Sequence, residues 1–186
     1  LEIFLRNNMD NKLKLQFGCG LNYLKGWDNF DAEIDITKRL PWENDTVSFC
    51  FAEHVTEHVA IREAYNFFLE VRRILKPGGV FRIAVPSVVK IQKLENDNYR
   101  QFLKNHGWAS GEIGSGVFAI TMHHGHQIWF CEDILQAVLT AVGFSVKICQ
   151  SGESDHDELR GIDSHHRAIG KEFNEIESIV AEGTKI

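Results

Sequence analysis

The sequence predicts a single α/β domain built on a mostly parallel sheet, and three stretches carry that prediction. The first is KLQFGCG, Lys14 to Gly20, in which Leu13, Leu15 and Phe17 suit a buried strand and two glycines follow at once. The second is VSFCFA, Val47 to Ala52, a continuous apolar run of the kind that is covered on both faces in a parallel sheet. The third joins a helix to a strand. Apolar residues at 61, 64, 65, 68, 71 and 75 form a helical stripe that stops at Lys76-Pro77-Gly78-Gly79, after which Val80 to Val85 reads as a strand. Strand, helix, Pro-Gly-Gly turn and strand in that order make a crossover unit, which implies a parallel neighbour pair.

The remaining elements follow in order. The run ending at Asp31 is a second strand, and Asp31 to Asp35 leads into a loop, Thr37 to Asp45, containing Leu40-Pro41-Trp42. A helix is expected over Ile91 to His106 and a Gly-rich loop over Gly107 to Gly116. Helix Glu132 to Ala141 ends at Gly143, and strand Phe144 to Cys149 leaves it. A polar connector holding Asp155, His156, Asp163, His165 and His166 precedes the last strand, Ser178 to Lys185. Residues 1–12 are expected to be an N-terminal extension of one domain spanning 1–186. The chain begins with Leu1 rather than Met, so residues 1–8 stay outside the functional reading.

Composition narrows the function classes. With 186 residues, 44% apolar, four Trp and thirteen Phe, the chain can bury one substantial core. A net charge of −6 offers no attraction to a polyanion, so neither nucleic acid nor an anionic membrane surface is an expected partner. The longest stretches of low charge, such as Ser110 to Met122 with its three glycines and one acid, are too short and too Gly-rich to span a bilayer. No basic, apolar, small-residue order of a secretory signal stands near the start. Cys19, Cys50, Cys131 and Cys149 lie far apart without CxxC spacing and read as buried thiols of a reducing compartment, hence the cytoplasm.

The chemistry concentrates first at Gly18-Cys19-Gly20. Glycines directly after a strand let the backbone turn tightly and approach a ligand with no Cβ in the way. A carboxylate at the tip of the next strand, here Asp31, can accept both hydroxyl hydrogens of a ribose. The stretch therefore reads as a nucleoside-binding corner, although a ligand-free Gly-x-Gly turn fits the same residues.

Taken together, LQFGCG (15–20), GWDNFD (26–31), DITKRLPW (35–42), AEHVTEHV (52–59), EVRRILKPGGVFRIAVPS (70–87), the HxHQIWF region (124–130), AVGFS (141–145) and ESIVAEGTK (177–185) resemble the class I S-adenosylmethionine-dependent methyltransferases. They look closest to the small members associated with polysaccharide and cell-surface sugar pathways. The resemblance implies a Rossmann-like, doubly wound, mostly parallel seven-stranded sheet with an antiparallel C-terminal strand. It implies S-adenosylmethionine as cofactor, S-adenosylhomocysteine as its product, and a small-molecule acceptor. Gly18 and Gly20 would line the methionine part, with Phe17 and Cys19 carrying the turn. Asp31 would hold the ribose hydroxyls, and Asp35 and Ile36 would meet the adenine. Ala52, Glu53 and His54 would lie beneath the sulfonium. Residues 88–130 would form an acceptor-side insertion or lid. The chain departs from the pattern at Gln16, Asn22 and Ser48, where an acid, a glycine and an acid are usual. Only about eight residues separate Gly20 from the second strand, so the first helix is expected to be short or absent.

Methyl transfer from a sulfonium is an in-line displacement whose main demands are orientation and desolvation, and a hydroxyl acceptor also needs a base. Candidate bases are His124 and His126, with His54 beside the methyl group; a packing or loop-fixing histidine fits the same positions. Glu53-His54 and Glu57-His58 form two Glu-His pairs four residues apart, in which Glu57 and His58 are expected to support the turn into the helix at 61. This is not the HExxH zinc motif, and no metal site is expected; His123-His124-x-His126 could begin one only with a ligand from a separate loop such as Asp155 or His156. Trp42 could flank the adenine or cover the sheet edge, and Trp108, Phe118 and Trp129 could wall the acceptor pocket. An alternative to the enzyme is a cofactor-binding module without catalysis, or a subunit of a complex, and exposed aromatics on the 107–130 face would favour it. A nicotinamide enzyme fits poorly because Tyr23 stands where its fingerprint needs a glycine. The oligomeric state is left open.

Overall fold

A computed structural model describes residues 12–186. The expected extension at 1–12 lies outside the described residues except for Lys12, whose ammonium meets Glu158 at 2.5 Å. The strands are β1 (Lys14–Phe17), β2 (Asp28–Phe30), β3 (Val47–Glu53), β4 (Leu75–Pro86), β5 (Phe144–Cys149) and β6 (Ser178–Lys185). The helices are α1 (Ile61–Ile74), α2 (Val88–Leu94), α3 (Asp97–Asn105), α4 (Ser115–Phe118), α5 (Glu132–Val142), α6 (His165–Ile169) and α7 (Lys171–Glu177). Six strands form one sheet in the order β2-β1-β3-β4-β6-β5. The first four are mutually parallel, while β6 runs antiparallel to both β4 and β5. The antiparallel C-terminal strand thus lies between β4 and β5, as a hairpin-like insertion of the chain's last residues.

The expected seventh strand is not found among the described residues. Thr37–Asp45 is the loop that the sequence predicts, in which Leu40 and Trp42 turn inward to the core and Pro41 between them cannot donate to a ladder. Arg73 holds this loop in place by donating to the carbonyls of Leu40 and Trp42 at 3.0 and 2.8 Å. Nor is there a helix between β1 and β2, where residues 19–27 form turns, in line with the short spacing.

The helical stripe at 61–75 becomes α1, which buries Ala64, Phe67, Phe68, Val71 and Ile74 against the sheet. Beside it α5 buries Leu135, Leu139 and Val142 in the same core with Leu15, Phe17, Cys50, Ala52, Phe81 and Ile83. At about 25 cal/mol per Å² of apolar surface, each fully buried Phe or Leu here contributes roughly 1.5–3 kcal/mol. The opposite face is covered differently. Trp27, Phe49, Phe51 and Val80 pack under Leu159 and Ile162 of the polar connector. The double winding is therefore incomplete, since irregular chain does on this face what crossover helices do on the other.

Further differences from the sequence reading are local. Strand β4 begins at Leu75, before the Pro-Gly-Gly turn, because Leu75 already pairs with Val47 and the ladder then slips to Phe49 opposite Val80. Asn96 caps α3 by accepting from the Tyr99 amide at 2.9 Å, which splits the helix expected over 91–106 into α2 and α3. The Gly-rich loop leads into α4 and a wide helical turn, Ala119–His123. The connector contains α6 and α7. Together α2, α3, the 119–123 turn and α7 enclose a second core of Ile91, Tyr99, Leu103, Ala119, Ile120 and Ile176. This small subcore sits beyond the carboxyl ends of β3 and β4.

Candidate functional site

The glycine corner has the backbone that the sequence requires. Gly18 and Gly20 have φ of +65° and +49°. A Cβ on Gly18 would stand 2.2 Å from Cγ2 of Val55, so the position excludes a side chain by sterics as well as by conformation. A Cβ on Gly20 would meet nothing within 4 Å, which leaves its backbone open on one side. The Cys19 amide donates to the Phe30 carbonyl at 3.0 Å and thereby ties the turn to the end of β2. Phe17 and Ala52 are buried partners across β1 and β3. Asp31 is exposed just past β2, at the carboxyl edge where open parallel sheets receive ligands. Asp35 is exposed as well, but its Oδ1 accepts from both the amide and the hydroxyl of Thr37, at 2.9 and 2.7 Å, and those bonds hold its carboxyl below the usual range. Ile36 is half-buried against the main core. Trp42 is buried in that core against Phe17 and Phe30, the sheet-covering role rather than an open flank. Gln16, at the position usual for an acid, is buried on the opposite face of β1.

Past β3 the chain turns sharply. His54 takes φ of +53°, a left-handed conformation rare for a residue with a Cβ and costing on the order of 1 kcal/mol. Its amide donates to the Ala84 carbonyl at 2.9 Å. Both ring nitrogens have neighbours: Nε2 lies 3.0 Å from the Ser178 hydroxyl and Nδ1 lies 3.3 Å from Oε1 of Glu57. Burial first, and the His165 ring second, push its pKa down to about 3, so the ring is neutral at physiological pH. The neighbouring carboxylate, Glu53, is taken up by the connector. Its oxygens accept from the amide and hydroxyl of Ser164 and from the amide of His165 at 2.6–3.1 Å. Glu53 therefore positions the connector over the carboxyl end of β3, and Arg167 extends that reach to Asn22 at 3.2 Å.

Beyond this turn lies a cavity of about 190 Å³ lined by His54, His58, Trp108, His124, His126, His165 and Glu177. The resemblance set His54 beneath the sulfonium and His124 and His126 on the acceptor side, and all three line this one cavity at the ends of β3 and β4. What joins them is a backbone clamp. The Glu57 carbonyl accepts from the amides of Gln127 and Ile128 at 2.7 and 3.3 Å, and the Gln127 side chain donates to the His58 carbonyl at 2.7 Å. Burial pushes the His126 pKa down to about 4, and burial together with His123 lowers that of His124. His165 and Glu177, which no sequence motif singled out as a pair, face each other across 3.1 Å, and Tyr99 donates to the other Glu177 oxygen at 2.6 Å. Of the expected aromatic wall, Trp108 lines the cavity, whereas Phe118 and Trp129 are 53% and 50% exposed. A larger, more polar cleft of about 290 Å³ lies by Lys90, Cys149 and Ser151; neither cavity reaches Gly18 or Asp31.

The comparisons with known proteins agree with this layout. A family described as a methyltransferase domain matches residues 15–83, from β1 through α1 into β4. No curated protein sequence matches the chain. Among solved structures, a SAM-dependent methyltransferase from Archaeoglobus fulgidus is similar with a TM-score of 0.57 and 14% identity, over 95% of this chain and 87% of that one. An S-adenosylmethionine-dependent methyltransferase from Mesorhizobium loti gives a TM-score of 0.54 at 12% identity, over 94% and 91%. Phosphoethanolamine N-methyltransferase 2 of Haemonchus contortus, solved in complex with S-adenosyl-L-methionine, gives 0.50 at 9% identity, over 96% of this chain and 50% of that one. At such identities the likeness is one of fold, a mixed α/β sheet of methyltransferase type. Fold and family match together support S-adenosylmethionine as the cofactor and methyl transfer as the chemistry. No helix of the described residues is long and apolar enough to cross a membrane.

Proposed function

We propose that the protein is an S-adenosylmethionine-dependent methyltransferase acting on a small hydroxylated acceptor, with a sugar or nucleotide-sugar as the class suggested by the sequence resemblance. The observation that carries this reading is the histidine-lined cavity of about 190 Å³ that begins at His54, the residue after the carboxyl end of β3. Gly18 and Gly20 offer a cradle without Cβ atoms and Asp31 an exposed carboxylate at the strand tip, which fits the methionine and ribose parts of the cofactor. Phe17, Cys19 and Ala52 hold that cradle in shape. Asp35 and Ile36 are the adenine-side residues, provided Asp35 releases Thr37. When bound, the cofactor supplies an electrophilic methyl group; the chain's own part is to orient the acceptor and take its proton.

His124 is the base in this reading. It is half-buried on the cavity wall, its ring lies among those of Trp108, His123 and His126, and its lowered pKa keeps it neutral and able to accept a proton near pH 7. His126 shares the wall. His54, held on both sides, and Glu53, held by Ser164, act as positioning residues. We also place the protein in the cytoplasm, on the four free cysteines.

Calorimetric titration with S-adenosylhomocysteine, with NAD as control, tests the cofactor part before any acceptor is known. The expected result is binding of S-adenosylhomocysteine alone, at least tenfold weaker in Asp31→Ala and unchanged in His126→Ala, whose methyl transfer falls. Equal affinity in wild type and Asp31→Ala would sink the ribose assignment. A second reading, a cofactor-binding subunit of a complex, is favoured by the exposure of Phe118 and Trp129 on the 107–130 face. Size-exclusion chromatography of native extract separates the two: the enzyme reading expects the isolated chain to transfer methyl groups by itself.

A further inference from the structure

We propose that Glu57, His58 and His126 bind a divalent transition-metal ion of the zinc type, at a site facing the acceptor cavity. One carboxylate oxygen of Glu57 and one ring nitrogen each from His58 and His126 lie within 4.8 Å of one another. Two histidines and a carboxylate are the ligand set of open zinc sites and of non-haem iron sites, in which the remaining positions take water or substrate.

A second observation points to a ligand. Glu57 is fully buried, and neither of its carboxylate oxygens has a hydrogen-bond partner among the described residues; nor has the buried Nδ1 of His126. Nδ1 of His54, 3.3 Å from Oε1 of Glu57, lies within ion-pair reach without hydrogen-bond geometry. Orphaned buried carboxylates are costly, so this one needs a partner. A cation between Glu57, His58 and His126 supplies one to the carboxylate and to His126 together.

The supporting structure is that of a built site. The 56–58 turn and the 126–128 segment are locked by the Gln127 and Ile128 amides on the Glu57 carbonyl and by the Gln127 side chain on His58. The rings of His58 and His126 meet edge to face, with centroids 4.7 Å apart. His54, anchored by Ser178, stands behind Glu57 in the place of an outer-shell histidine. Ligand atoms around tetrahedral zinc stand about 3.4 Å apart, so closure asks for roughly 1.4 Å of movement at most between any two of the three groups, shared by the exposed His58 ring and the half-buried His126 ring. The alternative completion suggested by sequence is not formed. Asp155 pairs with Lys147, and His156 lies against Phe49 on the opposite side of the sheet. Metal binding stands on these residues alone. Its use, to hold an acceptor oxygen in the cavity for methylation, rests on the methyltransferase reading.

The experiment is titration of chelator-treated full-length protein with Co²⁺ and Zn²⁺, followed by visible absorption, calorimetry and thermal melting. Wild type is expected to take up one ion per chain, to show the absorption of four- or five-coordinate Co²⁺, and to melt at higher temperature with metal present. His58→Ala and His126→Ala should each weaken binding at least tenfold, while His123→Ala, an exposed histidine outside the set, should bind as wild type does. His58 is exposed, so its removal leaves the core intact if Glu57→Gln fails to fold. No uptake by wild type, or equal uptake by His58→Ala and His126→Ala, would overturn the site. The S-adenosylhomocysteine titration reads a different part of the molecule, so failure of one proposal is distinguishable from failure of the other.

Discussion

Replacing Arg82 with Leu should cost about 3–5 kcal/mol of stability, the range for breaking a buried ion pair by removing one partner. Arg82 is completely buried in the middle of β4. Its guanidinium makes two parallel bonds to Asp163, at 2.7 and 2.6 Å, one to Glu182 on β6 at 2.5 Å, and one to the Glu153 carbonyl at 3.0 Å. Asp163 and Glu182 are themselves 2% and 4% exposed, so the Arg82→Leu variant would leave two carboxylates facing each other with no cation and little water. The loss is a large share of the roughly 5–15 kcal/mol typical of a domain. For a chain of this size it corresponds to a fall in Tm of about 6–20 °C, readable by scanning calorimetry. A second variant separates lost attraction from stranded charge. With Arg82→Met, Asp163→Leu and Glu182→Leu combined, most of the stability should return, because apolar side chains of similar volume replace buried ion networks at little cost. The remaining deficit, about 1–3 kcal/mol, comes mainly from the Gly152 amide, which donates to Asp163 at 2.6 Å and would lose its acceptor, with the Glu153 carbonyl losing its Arg82 donor as well. An Arg82→Leu protein that melts within about 2 °C of wild type would refute the reasoning, since it would mean that water or a rearranged connector neutralises both acids.

Three further outcomes follow from the same geometry. Gly18→Ala should destabilise the chain by about 1 kcal/mol or more through its positive φ, and should abolish S-adenosylhomocysteine binding because the new methyl group drives Val55 out of place; wild-type affinity in that variant would show that the corner is no cradle. Tyr99→Phe removes a hydrogen bond to a carboxylate and should cost roughly 1.5–3 kcal/mol at neutral pH. Burial acts to raise the Glu177 pKa, but bonds from His165 and Tyr99 outweigh it and hold the carboxyl below its ordinary value. A depressed folded pKa gives stability that is present above the unfolded pKa and is lost as pH falls through the folded one. The gap between wild type and Tyr99→Phe in denaturant unfolding should therefore narrow as pH drops below about 4; a gap independent of pH would remove Glu177 from the account.

Periodicity and turn chemistry in the sequence determined the parts of this protein that depend on near neighbours along the chain. The strands at 14–17, 47–53 and 144–149, helix α1 with its buried stripe, and the terminal strand at 178–185 fall where alternation, helical spacing and Gly or Pro stops put them. The Gly18 turn was legible for the same reason, as only glycine fits that conformation against Val55. Long-range pairing was not legible. Among the described residues six strands stand where the resemblance implied seven, and the count is a matter of which segments pair rather than of any local pattern. The second sheet face is closed by the connector, through Leu159, Ile162 and the Arg82 ion network, which no local pattern announces. The histidines were visible as residues, but their grouping was not. Glu57 and His126 lie far apart in the chain and meet because two amides of the 126–128 segment find the Glu57 carbonyl. Sequence alone supplies the donors and acceptors; which of them are buried without a partner is decided when the tertiary fold removes water from around them.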